Sequence, residues 1–218
     1  MTDRVVIVVA AGSSLRFGSD KLMIEVAGQP IVAHTVDAVR GHADRCILVC
    51  RRDQMPALQS MRLDVELVPG GPSRTASEMA GLSVIGGPAG LIAIHDGARP
   101  LVSHRLVETL FERAAAVGGA IPVLPPTTPL VHRSDLTLVE GAVFAQTPQV
   151  FEGERLFSAY MRAARVEYEG HDTAEIAQKF SDLEIEGVPG DPGNIKVTHP
   201  ADIELVRAVL EPSRSGPR

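Results

Sequence analysis

With 218 residues, 44% of them hydrophobic and 22% charged, the chain has the composition of a folded globular protein, not of a disordered, collagenous or membrane-spanning one. Its 21 Lys+Arg against 27 Asp+Glu leave a net charge of -6, so no global basic field exists to hold a nucleic acid backbone, and an anionic ligand needs a local cluster of cations. Two cysteines, Cys46 and Cys50, are too few for a disulfide framework and fit a reducing compartment.

The longest apolar run, 5–11, is strand-sized and falls well short of the roughly 20 residues that cross a bilayer. Nothing before it has the layout of a secretory signal, so a cytoplasmic protein without membrane partners is expected. Short β-rich runs at 5–10, 46–50, 65–68, 91–94 and 120–123 alternate with helix-period stretches at 30–39, 75–84 and 104–117. This alternation predicts βαβ units: an α/β fold with a mainly parallel twisted sheet, helices on both faces, and ligands at the carboxyl ends of the strands.

Over 124–147 the pattern changes. Pro-Pro-Thr-Thr-Pro and then His132-Arg133-Ser134-Asp135 separate two Leu/Val-rich pieces too short for a core helix, which predicts a protruding β-hairpin arm. Helices are expected over 154–165, 172–180 and 200–210, the last opening on Pro200. Residues 1–211 then form a single domain, and 212–218, without apolar period, a disordered tail. Cys46 and Cys50, four apart in a strand, share a face and are expected to be small buried hydrophobes. His34, His42, His95, His104, His132 and His199 lack metal-ligand spacing and are expected to be structural.

Directly after the first strand comes Ala10-Ala11-Gly12-Ser13-Ser14-Leu15-Arg16-Phe17-Gly18-Ser19-Asp20-Lys21. Its small residues and successive N–H groups can cradle phosphate oxygens, with Arg16 and Lys21 adding charge; the alternative is an ordinary strand-to-helix turn with solvated cations. The loop is neither a Walker A sequence nor a GxGxxG fingerprint. Gly70-Gly71 can bring backbone against a base edge, with Arg74 and Ser77 on one side of the following helix, or can simply make a tight turn and cap. Asp96, at the end of the 91–94 strand, can accept from ligand hydroxyls, help hold Mg²⁺, or pair with Arg99.

Taken together, the Ala-Ala-Gly loop with Arg16, the Gly70 to Ser77 segment, His95-Asp96-Gly97-Ala98-Arg99-Pro100, Gln146-Thr147-Pro148-Gln149-Val150-Phe151 and Asn194-Ile195-Lys196-Val197-Thr198 resemble, in order, the 2-C-methyl-D-erythritol 4-phosphate cytidylyltransferases. The resemblance implies a Rossmann-like nucleotidyltransferase fold, CTP as substrate with Mg²⁺, a homodimer clasped through the arm, and a place in isoprenoid precursor biosynthesis. It makes Arg16, Lys21 and Lys196 the catalytic candidates. Ala10, Ala11, Gly12, Ser13, Gly70, Gly71, Arg74, Ser77, Asp96 and Gly97 would hold the nucleotide. Asp96, Arg99, Thr147, His171 and Lys196 would hold the acceptor, His171 standing where members carry threonine, or else facing solvent at a helix start. The acceptor side is also spelled differently at Thr127 to Leu130 and at Val139. Alternatives are a nucleotidyltransferase for another acceptor, such as ribitol 5-phosphate or a molybdopterin-type cofactor, and a nucleotide-binding homologue without turnover.

Overall fold

The structure, a computed structural model, describes residues 3–12, 17, 20–86 and 90–211. Ser13 and Arg16, and the expected tail 212–218, lie outside the described residues. The first strand, β1 (Arg4–Val9), holds Val5, Val6, Ile7 and Val8 at 0% exposure. A run with no polar alternation must be covered on both faces, and each such side chain contributes about 1.5–3 kcal/mol on burial.

The chain continues through a two-strand ribbon, β2 (Glu25–Val26) and β3 (Gln29–Pro30), into α1 (Ile31–Arg40), β4 (Arg45–Cys50), the short α2 (Met55–Ser60), β5 (Glu66–Pro69) and α3 (Arg74–Ser83). Next come β6 (Leu91–Asp96), α4 (His104–Val117), β7 (Gly118–Leu124), β8 (Phe144–Ala145) and β9 (Gln149–Glu152). The chain then forms α5 (Gly153–Arg165), α6 (Thr173–Phe180), β10 (Glu184–Pro189) and α7 (Pro200–Leu210). Side-chain caps set several helix starts: Ser73 accepts from the Ala76 N–H, Ser103 from Leu106 and Asp172 from Glu175. Asp172 is thus the cap, and the helix expected from 172 begins one residue later.

One eight-stranded sheet runs β10-β7-β9-β6-β1-β4-β5, with β8 added on β7. The pairs β1–β4, β1–β6, β4–β5 and β7–β10 are parallel, whereas β9 is antiparallel to both neighbours. Val6 and Val8, with Cys46, Leu48 and Cys50, pack on the side of α1, α4 and α7. Val5 and Ile7, with Ile47 and Val49, pack on the side of α3, α5 and α6. Cys46 and Cys50 are therefore on one face as expected, both free thiols, and burial pushes the Cys46 thiol up to about 12.

Expectation and structure part at five elements. The ribbon β2–β3, the single-turn α2, the antiparallel β9 and the strand β10 are absent from the sequence reading, since each is short or lacks apolar alternation. The arm is a hairpin with ordered pairs at its root, Val123↔Ala145 and Leu124↔Phe144, and an isolated bridge further out, Val131↔Leu138. It ends at β8, not at 147, because Gln146 and Thr147 are buried in the main body, at 5% and 4% exposure.

Candidate active site

A cavity of about 520 Å³ opens where β1 and β6 end and where β5 turns into α3. Ala10, Ala11 and Gly12 line one wall, and Gly71, Arg74 and Ser77 another. Lys21, Asp96, Gly97 and Lys196 close the remainder. Two glycines, Gly97 in the lining and Gly70 behind it, are required by close packing. A Cβ on Gly70 would stand 2.3 Å from the Ala11 Cβ, and one on Gly97 would stand 2.9 Å from the Ala10 Cβ. Gly70 therefore buttresses the loop after β1 from behind. Ser77 is tied to the same turn, accepting from the Gly71 N–H at 3.2 Å and donating to the Ser73 carbonyl at 2.8 Å.

Asp96 is the electrostatic centre. Its Oδ1 lies 2.6 Å from Arg74 Nη1, and its Oδ2 lies 2.9 Å from Lys196 Nζ and 3.4 Å from Arg99 Nε. Burial alone would raise this carboxyl, but Arg74, Lys196 and Arg99 hold it well below the usual carboxylate range. The residue pairs not with Arg99 alone but with three cations from separate parts of the chain. Its expected share in holding Mg²⁺ meets an obstacle, because both oxygens already carry cations. Among the described residues no group of three or more His, Cys, Asp or Glu could hold a metal ion. This donor set does not fit a resident divalent ion.

Behind Asp96 lies a buried polar layer. The Asp96 N–H donates to Thr147 Oγ1 at 3.0 Å, and that hydroxyl lies 3.0 Å from His95 Nδ1. His95 Nε2 lies 3.2 Å from the Arg99 carbonyl, which can only accept. The arrangement defines a neutral Nε2–H imidazole, and burial takes its pKa down to about 4. Thr147, expected on the acceptor, is instead turned away from the cavity wall and holds the Asp96 backbone. Arg99 likewise sits outside the wall, its Nη1 donating to the Asn194 carbonyl at 2.7 Å.

The far end of the chain is stitched to this layer. Asn194, at 0% exposure, donates from Nδ2 to the Thr147 carbonyl at 2.9 Å, and the Val197 N–H donates to the Ala98 carbonyl at 2.8 Å. Between these two anchors Lys196 projects onto Asp96. Lys21 donates to the Val197 carbonyl at 2.6 Å. Its neighbour Asp20 accepts from Arg51 Nη2 and Gln54 Nε2, both at 2.7 Å, which fixes the loop against the start of α2. His171 is exposed just ahead of α6, with its backbone N–H on the Glu175 carboxylate, and it does not line the cavity.

Of the predicted residues within the described set, the cavity thus gathers Ala10, Ala11, Gly12, Lys21, Gly71, Arg74, Ser77, Asp96, Gly97 and Lys196, while Gly70, Arg99 and Thr147 support it. Sequence reasoning did not assign Asn194 or Arg51, nor His95 as a partner of Thr147. Two of these, His95 and Asn194, stand inside the motif blocks already singled out, where burial beside a charged neighbour is the recoverable signal.

Residues 4–212 match the family model described as 2-C-methyl-D-erythritol 4-phosphate cytidylyltransferase. Curated relatives of that name include one from Bacillus velezensis, 32% identical with 95% of each chain covered. Another, from Cereibacter sphaeroides, is 35% identical over 94% of this chain and 95% of its own. The crystal structure of 2-C-methyl-D-erythritol 4-phosphate cytidylyltransferase from Thermus thermophilus superposes with a TM-score of 0.82 at 30% identity, covering 97% of this chain and 100% of that one. This chain belongs to the 2-C-methyl-D-erythritol 4-phosphate cytidylyltransferase family.

Proposed function

We propose that residues 1–211 form one nucleotidyltransferase unit that joins CTP and 2-C-methyl-D-erythritol 4-phosphate, releasing pyrophosphate, in isoprenoid precursor biosynthesis. The observation that carries this reading is the convergence of Lys21, Arg74 and Lys196 on one cavity of a chain with net charge -6. The acceptor phosphate attacks the α-phosphorus in line as pyrophosphate departs. Its second pKa is near 6, so it is mostly ionised at pH 7 and needs no general base. His95 is neutral, buried and committed on both ring nitrogens, which agrees with that economy.

The protein's task is alignment and neutralisation of mutually repelling oxygens. Lys21, together with Arg16, stabilises the transition state, and Lys196 orients the acceptor phosphate. Ala10 to Ser13, Gly71 and Ser77 hold the nucleotide by backbone and hydroxyl groups, and His171, exposed ahead of α6 and outside this cavity, serves the acceptor bound by a second copy of the chain. Mg²⁺ enters as part of the substrate, the Mg–CTP complex. The arm exposes Val131, Leu136 and Leu138 at 48%, 73% and 57%, and an isolated hairpin is marginal in water. We assign that surface to a second copy of this chain, in a homodimer. The two buried free thiols fit the reducing cytoplasm.

The test is product mass spectrometry after incubation with CTP, Mg²⁺ and methylerythritol phosphate, with ribitol 5-phosphate as a parallel acceptor. Formation of the cytidine diphosphate adduct of methylerythritol is expected. CTP binding with no pyrophosphate release for either acceptor would overturn the assignment.

A further inference from the structure

Arg74 is gripped by two carboxylates, and the second of them, Glu78, does not line the cavity. Glu78 lies one helical turn further along α3 at 1% exposure, with Oε1 2.9 Å from Arg74 Nε. Tyr160 of α5 donates its hydroxyl to Glu78 Oε2 at 2.5 Å, and Thr173, the first residue of α6, donates to Oε1 at 3.1 Å. Tyr160 and Thr173 are themselves 1% and 0% exposed. A carboxylate at a helix position facing a core is costly to bury, and an apolar residue of similar size would pack there at no such cost. Packing of α3 therefore does not account for Glu78.

The contact between Arg74 and Glu78 is one of charge. Arg74 Nε is buried without a well-aligned hydrogen bond, although the Glu78 oxygen is beside it. The guanidinium thus faces Glu78 through Nε and Asp96 through Nη1. Nη2 makes no hydrogen bond among the described residues, and the side chain forms part of the cavity wall. Asp96 alone could not fix this geometry, because it is shared with Lys196 and Arg99. Burial, with Asp96 nearby, leaves the Glu78 carboxyl above its ordinary value, and Arg74, Tyr160 and Thr173 oppose that rise only in part, so what fixes the group is its contacts on both oxygens.

We propose that Glu78 is a positioning residue for the nucleotide: held by Tyr160 and Thr173, it fixes the Arg74 guanidinium on the cavity wall so that the remaining amino group is presented to the anionic substrate. Glu78 acts only through Arg74 and never touches the ligand. The inference rests on the nucleotidyltransferase reading, and the two fail separately. A wild-type enzyme that releases no pyrophosphate removes the reading itself, whereas the behaviour of variants of an active enzyme judges Glu78.

The experiment is steady-state kinetics of Glu78→Gln with CTP varied, alone and on an Arg74→Ala background. Loss of positioning raises the KM for CTP about tenfold and leaves kcat within about threefold. On the Arg74→Ala background the same change adds less than about twofold, because its effect passes through the absent guanidinium. Should Glu78→Gln not fold, Tyr160→Phe keeps the charge and removes one tether, with an expected rise in KM of about threefold. A purely structural Glu78 would lower Tm while leaving KM unchanged. A Glu78 that merely diluted the positive field would lower KM when removed. Either result, or additivity with Arg74→Ala, overturns the proposal.

Discussion

Lys21 donates its ammonium group to the carbonyl of Val197 at 2.6 Å across 176 residues of sequence, closing the loop after β1 onto the segment that carries Lys196. Two cations that the linear chain keeps apart therefore line a single cavity, and Val197, at 0% exposure, is the fixed point between them.

Replacing Lys21 by alanine is expected to lower kcat by about 10² to 10³, the scale for losing one preorganised transition-state donor. Circular dichroism should stay as in the wild type, since the apolar core does not depend on this residue. Turnover within a few-fold of wild type would take Lys21 out of the chemistry.

Asp96→Asn leaves Arg74, Arg99 and Lys196 around a neutral amide. Breaking a buried charge pair from one side costs about 3–5 kcal/mol, so urea denaturation should report a loss of that order. CTP should then raise Tm more in the variant than in the wild type, because its phosphates restore the missing negative charge. Equal CTP shifts in the two proteins would show that Arg74 and Lys196 do not meet the nucleotide.

The stability of the fold should fall as pH drops from about 6.5 to 4. His95 has a pKa of about 4 in the folded protein, below its ordinary value of 6.5. Between those values the unfolded chain takes up a proton that the folded chain refuses, so stability is fully present above 6.5 and declines towards 4, by about 3 kcal/mol in all. Chemical denaturation at pH 7, 6, 5 and 4 measures the slope. In His95→Asn that part of the slope should vanish, and an unchanged slope would place its origin elsewhere.

Leu136 and Leu138 are 73% and 57% exposed on the arm. Changing both to aspartate should convert the proposed dimer to monomer in sedimentation velocity at micromolar concentration, without altering Tm by more than a few degrees. A wild-type monomer under those conditions would sink the clasp.

Strong periodicity made the regular elements legible: the helices expected at 104–117 and 200–210 coincide with α4 and α7, and the five apolar runs with β1, β4, β5, β6 and β7. The antiparallel β9, only Gln149–Glu152, is inserted between β6 and β7 and has no alternation by which four residues could announce it. Within the site, Asp96 and the lysines could be singled out because each sits in a short motif. Thr147 was placed on the acceptor by the same kind of motif, and it faces the Asp96 backbone and His95 instead.

The linear chain by itself determined which residues are small, which are charged and where strands end, because these are properties of neighbours in sequence. Tertiary structure decided which charges far apart in the chain meet. Asp96 receives Arg74 from 22 residues before it, and Lys196 reaches it from the other end of the chain at 2.9 Å. Such pairings follow from the order of strands in the sheet and from the anchoring of Asn194 and Val197, and electrostatic energy depends on distance in space, to which spacing along the sequence is blind.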